Sequence, residues 1–317
     1  MTAKGSNVDI LIIGGGPAGL SALLWCIDLG QNAILLEKND EFGGQMLRTF
    51  NPINNYPGFK AAEGKKLRDI FFSQVMERGG KLLSGVLIAE THLGEKRVVC
   101  ENGTQYLSRS IIIATGVRRR QLGIPGETAF AGRGVLESGV KARDDVTGKS
   151  VLIVGGGDAA IENAIILSEK AKKVTVGHRR QSFTARREFL EKAEQTDNIE
   201  FRTNVHLNSI IGGDKVEAVE LIDQVSKKIS RLDVDAVLIR IGTEPNSELF
   251  RGQIKLNEAG YIVVGSDTST NVEGVFAIGD IIGPVAPTIS TAVGHGAVAA
   301  RAAADYVSRV RGIRTSV

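Results

Sequence analysis

The sequence predicts an α/β fold with two dinucleotide-binding domains, and three observations carry that prediction. Two glycine fingerprints lie far apart in one chain, Gly14-x-Gly16-x-x-Gly19 and Gly155-x-Gly157-x-x-Ala160. Each follows a short apolar run and opens a helix pattern, the strand–turn–helix setting that such a fingerprint needs. The strand after the first fingerprint, Ala33-Ile34-Leu35-Leu36, ends on Glu37, where a carboxylate is placed to accept hydrogen bonds from a ribose.

In the first half, Asp9-Ile10-Leu11-Ile12-Ile13 leads into Gly14-Gly15-Gly16-Pro17-Ala18-Gly19 and then a helix from Leu20 to Leu29. Gly14 permits the tight turn, Gly16 lets backbone approach a pyrophosphate, and Gly19 lets the helix pack close to the strand. The helix N-terminus offers unpaired N–H groups and a partial positive charge to phosphate. One fingerprint alone is weak, because Gly-rich turns are common; two in one chain are far more specific.

Further along, Phe42-Gly43-Gly44-Gln45 reads either as a simple connection or as a close approach of backbone to a flat ligand. Asn54 to Gly58 reads as a turn, and Lys65 to Arg78 as a helix with Leu67, Ile70, Phe71 and Val75 on one face. Residues 81 to 113 read as a small antiparallel patch. Ile111-Ile112-Ile113-Ala114-Thr115-Gly116 is a continuous apolar run ending in a turn, which suits a strand buried on both faces. Arg118-Arg119-Arg120 reads as a solvated charged face.

The second fingerprint follows Ser150 to Val154 and opens a helix from Ile161 to Leu167. The next strand, Lys173 to Val176, ends not on an acid but on Gly177-His178-Arg179-Arg180, with Arg186 and Arg187 close behind. Guanidiniums there suit a 2′-phosphate through forked, charge-assisted hydrogen bonds. The second site thus reads as NADPH and the first as a cofactor without that phosphate. Strand-like runs follow at Ile199 to Arg202, Val216 to Leu221 and Ala236 to Ile241. Near the end, Gly274 to Asp280 is a strand ending in Gly279-Asp280, and an amphipathic helix runs from about Thr288 to Val310.

Bulk properties exclude several classes. A net charge of +3 over 317 residues argues against nucleic acid as a partner. No apolar run reaches the ~18 residues of a membrane span. The two cysteines, Cys26 and Cys100, read as small core residues and point to a reducing, cytoplasmic setting, with no secretory leader visible. No metal-ligand spacing stands out.

Taken together, the motifs resemble the two-dinucleotide-domain flavoprotein disulfide reductases, most closely the low-molecular-weight thioredoxin reductases. The resemblance implies two Rossmann-like three-layer domains, the second inserted in the first. Residues 1–120 and 246–317 would form the FAD domain and residues 121–245 the NADPH domain. It implies FAD held by Gly14, Gly16, Pro17, Ala18, Gly19, Glu37, Lys38, Gly44, Gln45, Asn55, Ala114, Thr115, Gly116, Gly279, Asp280 and Thr288. It implies NADPH held by Gly155, Gly157, Asp158, Ala159, Ala160, His178, Arg179, Arg180 and Arg186. A homodimer and a swivelling NADPH domain belong to the same expectation.

The sequence departs from the family at two places. Thioredoxin reductases carry Cys-x-x-Cys just after a Gly-Arg-Gly-Val segment. Here Gly132-Arg133-Gly134-Val135 is followed by Leu136-Glu137-Ser138-Gly139-Val140-Lys141, so Ser138 and Lys141 stand at the dithiol positions. Pro287-Thr288 replaces the usual Arg-Gln at the last helix, leaving the Thr288 N–H for the flavin pyrimidine edge. The expected function is therefore an NADPH-dependent flavoprotein that gives electrons directly to an external acceptor, with no protein acid or base required. The thioredoxin-reductase-like ferredoxin–NADP reductases are similar in lacking the cysteine pair. Ferredoxin, flavodoxin, a quinone or a small molecule are the candidate acceptors; Arg309, Arg311 and Arg314 read first as a solvated tail and second as a surface for an acidic redox protein. The alternative is a non-catalytic FAD- and nucleotide-binding module acting as a sensor or partner-binding protein. A third reading keeps disulfide chemistry through Cys26 or Cys100.

Overall fold

The computed structural model describes residues 6–312, so Arg314 lies outside the described residues. The first part of the chain runs β1 (Ser6–Ile13), α1 (Pro17–Asp28), β2 (Ala33–Leu36), α2 (Gly64–Glu77), β3 (Leu82–Leu83), β4 (Ile88–His92), β5 (Arg97–Cys100), β6 (Gln105–Ile113) and β7 (Val117–Arg119). The middle part runs β8 (Val135–Leu136), α3 (Gly139–Ala142), β9 (Ser150–Val154), α4 (Asp158–Ser168), β10 (Lys173–Gly177), α5 (Arg187–Glu194), β11 (Ile199–Arg202), β12 (Val205–Gly212), β13 (Val216–Asp223), β14 (Ile229–Asp233) and β15 (Ala236–Ile239). The chain ends with β16 (Thr243–Pro245), β17 (Val275–Ala277) and α6 (Ile289–Val310). Two compact units result: Met1–Arg118 with Glu244–Val317, and Arg119–Thr243.

The first unit is built on one sheet in the order β3-β2-β1-β6-β5-β4. Ile10, Leu11, Ile12, Ile111, Ile112 and Ile113 are all fully buried, because β1 and β6 are covered on both faces. β6 is long enough to serve two partners on one edge. Its first half pairs antiparallel with β5 and its second half parallel with β17. Within residues 81 to 113, β4, β5 and the first half of β6 form the antiparallel patch that the sequence suggests, and this patch is continuous with the parallel sheet. β3 pairs parallel with β2, and the β4–β5 hairpin extends the same sheet.

Helices α1, α2 and α6 cover one face of this sheet. Small residues let α1 and α6 meet closely: a Cβ on Gly296 would fall 2.7 Å from Ser21 Cβ and 2.8 Å from Ala18 O. On the other face Phe250, Ile254 and Ile262 pack with Leu93, Val98 and Cys100.

The second unit holds an all-parallel sheet, β11-β10-β9-β15-β8. α4 and α5 pack on one face through Ile161, Ala164, Leu167 and Ala193. The antiparallel meander β12-β13-β14 covers the other through Leu207, Ile210, Val219 and Leu221. Only the central strand of that meander is evident from its apolar run; β14 is mostly exposed and carries no such signal. The architecture is α/β with two Rossmann-type domains.

Candidate cofactor-binding site

The first fingerprint folds for local reasons. Gly14 adopts φ +109, and a Cβ there would sit 2.4 Å from Ala114 O, so the β1 turn passes against the end of β6 only with glycine. A Cβ on Gly19 would lie 1.9 Å from Gly14 O; this residue does its work by seating α1 on the turn. Gly16 faces open space, with Gly44 Cα its nearest neighbour at 4.0 Å. The backbone there is accessible to a phosphate, and Pro17 at the first position of α1 suits a helix start whose N–H groups point outward.

These residues line a cavity of ≈ 530 Å³ in the first unit. Every first-unit residue assigned to FAD from the sequence lines it except Gly19 and Asn55. Asn55 is exposed and the structure does not bring it to the cavity wall. The cavity joins the Gly14–Ala18 turn, the Glu37–Asn39 strand end, the Gly44–Gln45 loop, the Ala114–Val117 turn, Gly279-Asp280 and the start of α6. The length and branching of that wall suit an extended dinucleotide.

Glu37 is 6% exposed. Its Oε2 accepts the Gly15 N–H at 2.7 Å, and its Oε1 accepts the Asn39 N–H at 2.9 Å and the Asn39 side-chain amide at 2.6 Å. These bonds fix the carboxylate toward the cavity, and Oε2 keeps a lone pair for a ribose hydroxyl. Gln45 donates its amide to Val117 O at 2.7 Å, tying the Gly-Gly loop to the β7 start.

Asp280 is half-buried, and burial pushes its carboxyl above the usual range, an effect that nearby His295 opposes. His295 Nδ1 accepts the Gly279 N–H at 3.4 Å, and burial lowers its own value, which favours the neutral ring. At the start of α6 the structure changes one detail. The Thr288 N–H donates to Ala286 O at 2.9 Å, and the Thr288 hydroxyl caps Thr291 N at 3.2 Å. The Thr288 N–H is thus spent within its own turn. Ile289, the first residue of α6, also lines the cavity and is the nearer source of a backbone donor.

Some residues of this wall are not evident from sequence. Arg118 does not lie on a plain solvated face: it donates to Glu244 at 2.8 Å, to Asn246 at 3.0 Å and to Glu248 at 2.5 Å. Asn246 in turn donates to Thr115 O at 2.7 Å and so holds the Ala114–Gly116 turn. Those partners are more than a hundred residues apart, so no local pattern announces them. Arg311 likewise pairs with the buried Asp9, which also takes Arg109; Arg309 is exposed beside the Tyr306 ring.

In the second unit the same turn recurs at the end of β9. A Cβ on Gly155 would lie 2.1 Å from Arg240 O, and one on Gly156 only 2.3 Å from the His178 ring. Gly157 has nothing nearer than Thr184 Oγ1 at 3.8 Å, so it offers an open approach to the α4 N-terminus. His178 stacks on Phe183 and its Nε2 is buried without a hydrogen-bond partner among the described residues. Burial, then Arg180 and Arg179, lower its value, so the ring is neutral near pH 7. Arg179 and Arg180 are exposed, and among the described residues neither guanidinium has an ion-pair partner. Arg186 differs: it is bound to Asp158 at 2.8 Å and to Glu188 at 2.9 Å. Ala159 is exposed and Ala160 is buried under the turn. Open backbone at Gly157, two exposed cations after β10 without an ion-pair partner among the described residues, and a buried His178 Nε2 without a hydrogen-bond partner among them fit a phosphorylated dinucleotide.

Ser138 is 7% exposed and precedes α3, where Asn163 accepts the Gly139 N–H at 2.9 Å. Lys141 points outward, 3.6 Å from Glu137. Cys26 and Cys100 are buried free thiols in the first unit. Among the described residues no group of three or more His, Cys, Asp or Glu side chains is placed to hold a metal ion, and no helix is long and apolar enough to cross a membrane.

Comparison with known proteins agrees with this geometry. The model of the pyridine nucleotide-disulphide oxidoreductase family matches residues 8–296. A thioredoxin reductase of Mycolicibacterium smegmatis is 36% identical over 293 residues, 92% of this chain and 94% of that one. One of Bacillus subtilis is 34% identical over 304 residues, 96% of each chain. The crystal structure of Lactococcus lactis thioredoxin reductase superposes with a TM-score of 0.84 at 31% identity, covering 95% of this chain and 99% of that one. A bacillithiol disulfide reductase of Bacillus cereus, at 19% identity, has a TM-score of 0.78 over 95% of this chain and 99% of its own; it shares the fold. Thioredoxin reductases use FAD and NADPH, the two cofactors that the two turns fit. The chain belongs to the pyridine nucleotide-disulphide oxidoreductase family, as a flavoprotein oxidoreductase of the thioredoxin reductase-like kind.

Proposed function

We propose that the chain is an NADPH-dependent FAD oxidoreductase that passes electrons from NADPH through FAD directly to an external acceptor, without a redox dithiol. The observation that carries this reading is the pair Ser138 and Lys141 at the dithiol positions. Neither side chain can form a disulfide or take up the reducing equivalents of a dithiol. The two cysteines offer no substitute. Burial pushes the Cys26 thiol up to about 12 and raises Cys100 as well, so neither is a nucleophilic thiolate at neutral pH.

FAD, when bound, supplies the hydride-accepting and electron-delivering ring. The chain's own residues bind and orient it. Glu37 holds a ribose, Asp280 a hydroxyl of the linking chain, and the α6 N-terminus the polar edge of the ring. In the second unit Arg179 and Arg180 take the 2′-phosphate and the Gly157 turn the pyrophosphate. No proton transfer by a side chain is needed for hydride transfer between the two rings.

The acceptor in this reading is a ferredoxin, a flavodoxin, a quinone or another small molecule. The working form is a cytoplasmic homodimer. Support for a second copy comes from the outer face of α1 and α6, where Trp25, 46% exposed, and Val298 line a broad groove. The test is an anaerobic titration of the yellow protein with NADPH, followed by flavin absorbance near ~450 nm. Bleaching at about one equivalent, and turnover with one of these acceptors, is the expected result. Absence of bleaching would sink the proposal in favour of a non-catalytic nucleotide-binding module.

A further inference from the structure

Six charged side chains line the cavity of the first unit: Glu37, Lys38, Arg48, Arg118, Glu248 and Asp280. Most of them are engaged within the protein. Glu37 takes the N–H groups of Gly15 and Asn39, Arg118 is held by Glu244 and Glu248, and half-buried Asp280 stands near His295. Lys38 and Arg48 differ. Both are exposed, and among the described residues neither side chain has an ion-pair or hydrogen-bond partner. Lys38 directly follows Glu37 and belongs to the ribose end of the cavity.

Arg48 belongs to the other end. It closes the short 3₁₀ helix Gly44–Arg48, which starts against the phosphate-binding turn: a Cβ on Gly44 would lie 3.0 Å from Gly16 Cα. At about 2 Å of rise per residue, Arg48 stands about 8 Å beyond that point, comparable to the reach of the chain that links the pyrophosphate to the flavin ring. Two bonds fix this helix: Gln45 donates to Val117 O, and Thr49 Oγ1 donates to Gln45 O at 3.1 Å. The pyrophosphate has its own donors at the Gly16 turn and the α1 N-terminus. The Arg48 guanidinium is part of the cavity wall and still open to solvent, so it meets whatever enters the cavity over the ring. Pro287 and Ile289 add apolar surface to the same wall.

We propose that Arg48 is the recognition residue for the electron acceptor, and that this acceptor is a small planar molecule bearing a carboxylate or another anionic group. A guanidinium offers forked donors that match such a group, and its charge attracts the anion into the cavity mouth. The apolar wall takes the planar body. This rests on the reading of the chain as an enzyme that passes electrons directly to an external acceptor. With a quinone the atoms balance simply: NADPH gives up a hydride, solvent adds a proton, and the products are the hydroquinone and NADP+. Arg48 binds and orients; it gains and loses no proton.

The test has two arms on the FAD-loaded protein. In the first, benzoate is titrated into the oxidised protein and the shift of flavin absorbance is followed. In the second, kcat/KM is compared for an anionic naphthoquinone sulfonate and for the neutral menadione. Arg48→Gln should raise the benzoate dissociation constant about tenfold and lower the sulfonate-to-menadione ratio about tenfold. Arg48→Lys should keep part of the preference, Arg48→Glu should reverse it, and added salt should narrow the wild-type ratio. Affinity for FAD, read from flavin fluorescence on dilution, should stay the same in Arg48→Gln. Weaker FAD binding with an unchanged ratio overturns the inference, because the guanidinium then serves the pyrophosphate. An equal ratio in wild type and Arg48→Glu, with FAD retained, overturns it too, as does a wild type that neither binds benzoate nor prefers the sulfonate. If the variants fail to fold, the salt series on the wild-type protein decides: a ratio indifferent to salt overturns it. If NADPH leaves the flavin unbleached, the electron-passing reading fails separately, and the benzoate arm still decides whether Arg48 holds an anion.

Discussion

The arginines after β10 give the sharpest prediction, because the structure separates their roles. Arg179 and Arg180 are exposed and, among the described residues, without ion-pair partners, whereas Arg186 is bound to Asp158 and Glu188 and stands over the Phe189 ring at 4.3 Å. A hydrogen bond to a charged group contributes about 1.5–3 kcal/mol, and the lower end applies to side chains as open to solvent as these. Replacing both Arg179 and Arg180 by Ala should thus remove about 3 kcal/mol of binding to the 2′-phosphate, or about 100-fold in kcat/KM for NADPH. NADH has no such phosphate, and its kcat/KM should move by less than about threefold. Arg186→Ala should do less to this ratio, because its guanidinium already serves the α4 N-terminus. Steady-state kinetics with both nucleotides and an artificial acceptor measures all three. Equal losses for NADPH and NADH in the double variant would refute a phosphate-binding role, and a larger loss of selectivity at Arg186 would show that the partners have been read wrongly.

Three further outcomes follow from the first unit. Gly19→Ala puts a Cβ 1.9 Å from Gly14 O, a backbone atom that cannot give way; stability should drop by about 3 kcal/mol with loss of flavin, and an unchanged melting curve with full flavin content would contradict the packing. Asp280 is held above the usual carboxylate range by burial, so the folded form binds its proton more tightly than the unfolded one. Its contribution to stability is then lost as pH rises from the ordinary Asp value of about 3.9 through the raised one. Asp280→Asn should flatten that part of the stability curve in denaturant titrations at several pH values, and an identical pH slope would exclude the effect. Cys26 and Cys100 should resist alkylation in the native protein, and replacing both by Ser should leave turnover unchanged; loss of turnover with flavin retained would restore a redox role for a thiol.

What sequence reveals here divides along the range of the interactions. The two fingerprints, the acid at Glu37 and the arginines after β10 are local patterns: each follows the end of a parallel strand, and the first fingerprint and Glu37 line the cavity. The meander β12-β13-β14 is a different case. Its outer strand is exposed and polar, so its pairing is fixed by backbone bonds to β13 and by no apolar alternation of its own. The Thr288 donor illustrates a third limit. Its N–H is available by motif alone, yet the turn from Ala286 takes it up.

Charge is where sequence misleads most, because a side chain's role depends on partners far along the chain. Arg118, Arg119 and Arg120 read as one solvated run, yet Arg118 closes the wall of the first-unit cavity through Glu244, Asn246 and Glu248, whereas Arg119 meets Arg240 on the Glu137 carbonyl. Neighbours in sequence thus belong to different units: Arg118 is held between two carboxylates, whereas Arg119 donates to a backbone carbonyl. An ordinary surface run tends to be mixed in sign or paired. At Arg240 burial and the charge of Arg119 act downward and the Glu137 carboxylate acts upward, so groups that stand more than a hundred residues apart set one another's state where the sequence shows only separate charges.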